Sequence, residues 1–132
     1  MTLLPVVAAA LVRDGRVLAA RRSRPLELAG GWEFPGGKVE AGETEAAALA
    51  RELEEELAVG IRVGARLGEA TDGRIRLVLY AAVVLDGEPQ PDADHDEARW
   101  LTLDELDEVG WLPIDRDLLP LIAPLLQRAG KP

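Results

Sequence analysis

Two rhythms of apolar and polar positions run through this chain, one with the period of a strand and one with the period of a helix. Pro5 to Val12 is small, apolar and rich in valine, which predicts a buried strand. Asp14-Gly15 then marks a tight turn, and Arg16 to Arg22 returns as a second strand. Ser23 to Gly31 is a loop, and Gly31-Trp32-Glu33-Phe34-Pro35 is a short extended piece that stops at proline. A glycine-bounded loop follows, with Gly36, Gly37 and Gly42, and leads into a helix from about Glu45 to Leu57 capped by Thr44. Ala46, Leu49, Ala50, Leu53 and Leu57 form its apolar stripe, and Val59-Gly60 ends it. Ile61 to Leu67 alternates, Thr71-Asp72-Gly73 turns, and Ile75 to Leu85 is the strongest strand signal, so a β-hairpin is expected. Gly87 to Asp96 reads as an exposed, mobile loop, and Ala98 to Leu101 as a short strand. Thr102 and Glu105 fit a capping box that opens a short helix. A last helix is expected from about Asp117 to Arg128, packing Leu118, Leu119, Leu121, Ile122, Leu125 and Leu126, with Pro124 bending or breaking it.

Composition narrows the chemistry. A chain of 132 residues, 48% of them apolar, has material for one core and not for two comfortable domains, so a single domain over 1–132 is expected. The absence of cysteine excludes disulfides, thiolate catalysis and sulfur-bound zinc, and a lone histidine, His95, excludes a histidine-rich metal site. The apolar run Val6 to Val12 is too short for a signal or a membrane span, and a cytoplasmic protein with no membrane partner is expected. A net charge of −9 and the lack of any Lys/Arg run argue against binding a nucleic-acid polymer. A small phosphorylated ligand is compatible with that charge if divalent cations cover the glutamates or if Arg21, Arg22 and Arg24 supply positive charge.

On the helix, Glu52, Glu55 and Glu56 stand at i, i+3 and i+4, so like charges crowd one face at a cost of a few tenths of a kcal/mol per pair. Two readings are open at this point. Such a run can be a solvated face, or, beside a glycine loop, an oxygen-ligand site for magnesium that uses carboxylates, a backbone carbonyl and substrate phosphates.

The residues resemble a known family. The Nudix box, G-x5-E-x7-R-E-U-x-E-E-x-G-U with U a bulky apolar residue, is met by Gly37, Glu43, Arg51-Glu52, Leu53, Glu55-Glu56 and Val59. Only Ala58, where the family usually has glycine, departs, and it removes no chemical group. The segment Trp32 to Gly36 is similar to the MutT-like branch. The resemblance implies an α+β (α/β) Nudix fold, with a mixed β-sheet sandwiched between α-helices, and hydrolysis of a nucleoside diphosphate linked to a further group. It also implies Mg²⁺ or Mn²⁺ held by Gly36, Glu52, Glu55 and Glu56. Arg51 would pair with Glu43 or the glutamates and orient them, so its place in the catalytic set with Glu52 and Glu55 is structural. The branch often adds a carboxylate from the loop before a tryptophan-containing strand, which makes Asp94 and Glu97 candidates; the general base is left open between these and Glu52. Arg22, Glu33, Phe34 and Lys38 are the implied substrate contacts.

Asp115 falls where MutT-like enzymes read the base. An ionised carboxylate only accepts hydrogen bonds, which favours a base edge with donors such as the amino group of cytosine. With its surroundings, this resembles the CTP pyrophosphohydrolases of the branch. The expected activity is therefore conversion of a nucleoside triphosphate, CTP, dCTP or a 5-modified cytosine nucleotide, to the monophosphate and pyrophosphate in nucleotide-pool sanitation. The alternatives are an 8-oxo-dGTP diphosphatase and, in another class, a catalytically silent nucleotide sensor. The partner is a small nucleotide, and the chain acts as a monomer or homodimer.

Overall fold

A computed structural model describes residues 3–92 and 94–126 of the chain. Strand β1 (Leu4–Arg13) sits at the centre and changes partners along its length. Its end meets β2 (Arg16–Arg22) in the expected hairpin, with Val12 opposite Val17. Its first half runs antiparallel to β4 (Gly36–Lys38) on one side and parallel to β6 (Ile75–Asp86) on the other. β6 forms the predicted antiparallel hairpin with β5 (Gly60–Asp72). β2 carries β3 (Trp32–Glu33) on one edge and β7 (His95–Leu101) on the other, so the sheet is mixed.

β1 is apolar at successive positions because both of its faces are covered. Val7, Ala9 and Leu11 pack with Leu49, Leu53 and Leu57 of helix α1 (Glu45–Leu57). Ala8 and Ala10 face the other layer, where Trp32, Phe34, Trp111, Leu118 and Ile122 gather. Each fully buried leucine of α1 contributes roughly 1.5–3 kcal/mol by leaving water. The buried stripe of α1 is Ala48, Leu49, Leu53, Glu56 and Leu57. The expected stripe is corrected at its start: Ala46 is exposed and Ala50 half-buried, and the turn that faces the sheet begins at Ala48. Thr44 caps the helix through Ala47 N–H, as expected.

Three other expectations change. The glycine loop is partly a strand: Gly36 lies opposite Ala8 so closely that any Cβ would strike the Val7 carbonyl, and only glycine allows β4 to pair there. The acidic loop ends early, because β7 begins at His95, which is buried, rather than at Ala98. A separate turn, α2 (Pro113–Arg116), precedes the last helix, which is expected from about Asp117 and is reduced to α3 (Leu119–Ile122) and a 3-10 turn over Ala123–Leu125. Pro124 breaks it as expected, and Pro120 removes a further backbone donor, so no run of helical bonds survives across the two. Residues 127 and 128 of that expectation lie outside the described residues. No helix among the described residues is long and apolar enough to cross a membrane.

Ala58 ends α1 with φ +59°, in the left-handed region that costs a residue with a Cβ about 1 kcal/mol. Ala58→Gly should therefore stabilise the protein by roughly 0.5–1 kcal/mol, read as a higher urea midpoint with an unchanged slope. A lower midpoint would show that the left-handed cap is not strained.

Candidate active site

The inward face of α1 determines where the acidic side chains go. Glu52 and Glu56 are one turn apart beside the leucine stripe, and Glu55 turns outward, its side chain 60% exposed. Glu56 Oε1 accepts a hydrogen bond from Gly36 N–H at 3.1 Å. The Glu52 carboxylate lies against Gly37 so closely that a Cβ there would run into it. The glycines of β4 thus admit two carboxylates to the sheet surface.

Arg51 ties the outer part of the cluster together. Its Nε and Nη2 grip both oxygens of Glu43 at 2.7 and 2.9 Å, and Nη1 reaches Glu52 Oε2 and Glu55 Oε1 at 3.2 Å each. Nη2 also donates to the Lys38 carbonyl at 3.1 Å, so the guanidinium joins helix to strand. This two-pronged bond holds the Glu43 carboxyl down at about 2. Burial pushes Glu52 above the usual carboxylate range despite Arg51, and burial pushes Glu56 up to about 8, with the charges of Glu33 and Glu52 adding to it.

Among the described residues, no three acidic or histidine side chains converge closely enough to hold an ion as they stand. The donor set nevertheless fits a hard divalent cation: all are oxygens, and a buried carboxylate with a pKa near 8 gains from a positive charge beside it. Arg51 supplies that charge to Glu52 and Glu55, so a cation sharing both would compete with its Nη1.

Next to this cluster, across Gly36 and Gly37, opens a pocket of about 380 Å³. Arg22, Glu33, Phe34, Lys38 and Asp115, all expected to meet substrate, line it. At the start of β3, Trp32 N–H donates to the Gly110 carbonyl at 3.0 Å and Leu112 N–H donates to the Trp32 carbonyl at 2.8 Å, which sets Asp115 beside Phe34. Phe34 N–H donates to Asp115 Oδ1 at 3.0 Å, and the Phe34 and Trp111 rings pack 4.9 Å apart. Asp115 is 3% exposed, and burial raises it to about 7. Its carboxylate serves the pocket wall.

Asp94 and Glu97 are not brought into the cluster. Asp94 pairs with Arg24 at 2.6 Å and Glu97 with Arg21 at 3.5 Å. A bulge between Arg21 and Arg22 puts His95 in their place. Its Nε2 bonds Glu33 Oε2 at 2.8 Å, and the same oxygen accepts from Arg22 Nη1 at 3.0 Å. Burial opposes a charged imidazole, but the Glu33 bond and the fields of Glu56 and Glu33 outweigh it, leaving His95 above its ordinary value. Sequence reasoning missed this residue, since a histidine within Asp-His-Asp-Glu carries no periodicity that points it inward.

The NUDIX domain family matches residues 2–122. The chain belongs to the Nudix family. A Mycobacterium tuberculosis protein named "Putative 8-oxo-dGTP diphosphatase 2" is 53% identical over 116 residues, covering 84% of this chain and 82% of that one. The Escherichia coli CTP pyrophosphohydrolase is 38% identical over 136 residues, covering 100% and 98%. The solution structure of the E. coli ORF135 protein superposes with a TM-score of 0.79 at 36% identity, over 100% of this chain and 95% of that one. This Nudix protein is thus an enzyme, a nucleotide diphosphatase of the MutT-like kind, and the expected mixed-sheet fold is the one observed. Nudix hydrolases generally use divalent metal ions.

Because Asp115 holds its proton more tightly folded than unfolded, it contributes stability that is complete below about pH 4 and is lost as pH rises toward 7. Asp115→Asn keeps an acceptor for Phe34 N–H and cannot ionise. Relative to wild type, the variant should gain on the order of 2–4 kcal/mol between pH 4 and pH 8 in urea melts. A difference that does not change with pH would refute the raised value.

Proposed function

We propose that this enzyme converts nucleoside triphosphates to monophosphate and pyrophosphate with Mg²⁺ or Mn²⁺, and that it favours CTP, dCTP or a 5-modified cytosine nucleotide. The observation that carries the base preference is the buried Asp115 carboxylate in the pocket wall, oriented by Phe34 N–H. Its ionised form accepts from the cytosine amino group, and the phosphates then extend past Gly36 and Lys38 toward the α1 glutamates.

The proposed ligands of the cation are Glu52, Glu55, Glu56 and the Gly36 carbonyl. When bound, the cation would neutralise pyrophosphate charge and lower the pKa of a water so that a nearby carboxylate can take its proton. Arg51 Nη1 bonds Glu52 on the inward side and Glu55 on the exposed side, and so holds the two carboxylates on either side of one guanidinium nitrogen. Glu52, raised by burial and held at Oε2 by Arg51, is favoured as general base over Asp94 and Glu97, whose carboxylates are engaged by Arg24 and Arg21 outside the cluster. The water's oxygen bonds to phosphorus, the bridge between the α and β phosphates breaks, and pyrophosphate leaves. One domain acting as monomer or homodimer in the cytoplasm completes the reading, with pool sanitation as its role.

A second reading has its own support. Near neutral pH a carboxyl with a pKa of about 7 is partly protonated and can donate as well as accept, which suits the carbonyl and ring N–H of an oxidised guanine. The relative named for 8-oxo-dGTP points the same way for that protein. The silent-sensor alternative has no support, since Glu52, Glu55, Glu56 and Arg51 are all in place.

Purified protein with Mg²⁺ should hydrolyse CTP, dCTP and 5-methyl-dCTP in a panel that includes 8-oxo-dGTP, dGTP and ADP-ribose. Glu55→Gln and Glu56→Gln should each lower kcat by orders of magnitude. Preference for 8-oxo-dGTP would select the second reading, and cleavage of ADP-ribose with every triphosphate untouched would sink both.

A further inference from the structure

His95 is the single histidine of the chain and is 2% exposed, yet it is not part of the pocket wall. It stands behind that wall. Its Nε2 bonds Glu33 Oε2 at 2.8 Å, and Arg22 Nη1 donates to that same oxygen at 3.0 Å. Arg22 is held on its other side by Nε donating to the Arg24 carbonyl at 3.0 Å. Both Glu33 and Arg22 do line the pocket. Register explains the arrangement: Ala20 is opposite Glu33, and Arg22 is opposite His95, so the three side chains share one face of neighbouring strands. His95 Nδ1 is buried with no hydrogen-bond partner among the described residues, and Asp92 Oδ1 is 3.6 Å away. The imidazole is thus committed on one side, to Glu33.

We propose that His95 is a positioning residue for nucleotide recognition: from behind the pocket it fixes Glu33 and, through the Glu33 carboxylate, the Arg22 guanidinium. The proposal rests on the reading that the nucleotide occupies this pocket. A glutamate and an arginine are long, flexible side chains that lose rotamer freedom when a ligand orders them. The histidine, whose ring is locked by burial, removes part of that loss before the nucleotide arrives. The larger consequence is for binding, because the hydrogen bond of His95 goes to Glu33 in the pocket wall, whereas Glu56 feels His95 only through space and is bonded instead by Gly36 N–H.

Kinetics separate this role from a merely structural one. His95→Phe should raise KM for the preferred triphosphate about tenfold, the worth of one charge-assisted hydrogen bond, with kcat changed less than about threefold. His95→Gln, whose amide nitrogen can donate again to Glu33 Oε2, should restore KM to within about threefold of wild type. Loss of melting temperature in both variants with KM unmoved would overturn the proposal. Arg22→Ala and Asp115→Ala, run alongside, tell the two failures apart. If they leave KM unchanged, the pocket reading is wrong and the proposal falls with it; if they raise KM while His95→Phe does not, only the positioning role is wrong. Should His95→Phe not fold, the untagged wild-type protein answers alone, because its imidazole ¹⁵N resonances come from one residue. With Mg²⁺ held constant, added α,β-methylene-CTP should shift those resonances, and Glu33→Gln should abolish the shift. Resonances that stay put on saturation with the analogue would overturn it.

Discussion

One buried and one half-buried carboxylate on the inward face of a single helix, Glu56 and Glu52, are the constraint around which this molecule is arranged. Glu52 and Glu56 share a side of α1 with Leu49, Leu53 and Leu57, and the leucines cannot be buried without carrying the glutamates to the sheet. The cost of that burial shows in the pKa of Glu56, pushed up to about 8. Several features offset it: the Gly36 N–H on Glu56, the single Arg51 Nη1 bond on Glu52, and glycines at 36 and 37 where any side chain would collide.

Strand β4 is the shared wall between chemistry and recognition. On one side its glycines meet the α1 glutamates, and on the other they close the pocket that Arg22, Glu33, Phe34 and Asp115 line. In the proposed reading, a nucleotide that spans the wall places its phosphates by the glutamates and its base by Asp115. Two buried acids with raised values, Glu56 and Asp115, thus stand on opposite sides of β4, the first where the proposal seats a cation and the second where it seats a base. Arg51 and His95 stand behind the two halves in comparable ways, each holding a glutamate that a ligand is expected to meet.

What could be read without coordinates was what depends on short-range pattern. The hairpins at Asp14-Gly15 and at Thr71 to Gly73, the Thr44 cap and the span of α1 follow from local turn and cap chemistry, and the structure keeps them. The cluster of Arg51 with Glu43, Glu52 and Glu55 was legible because its members lie on one helix or just before it. By contrast, the last helix read from its leucines is shorter than expected: the break at Pro124 was legible, but the apolar pattern did not register the donor that Pro120 also subtracts.

The sequence by itself thus determined α1, the two hairpins, the acidic helix face and the family, because periodicity and the spacing of charged residues are properties of a contiguous segment. Only the tertiary structure decided which acids face the site. A single bulge in β7 turns His95 inward and leaves Asp94 and Glu97 to Arg24 and Arg21. Likewise the parallel pairing of β1 with β6, and the meeting of Phe34 with Asp115, join segments far apart in the chain. Such contacts depend on register and on what the core can enclose, and no local stretch of residues encodes either.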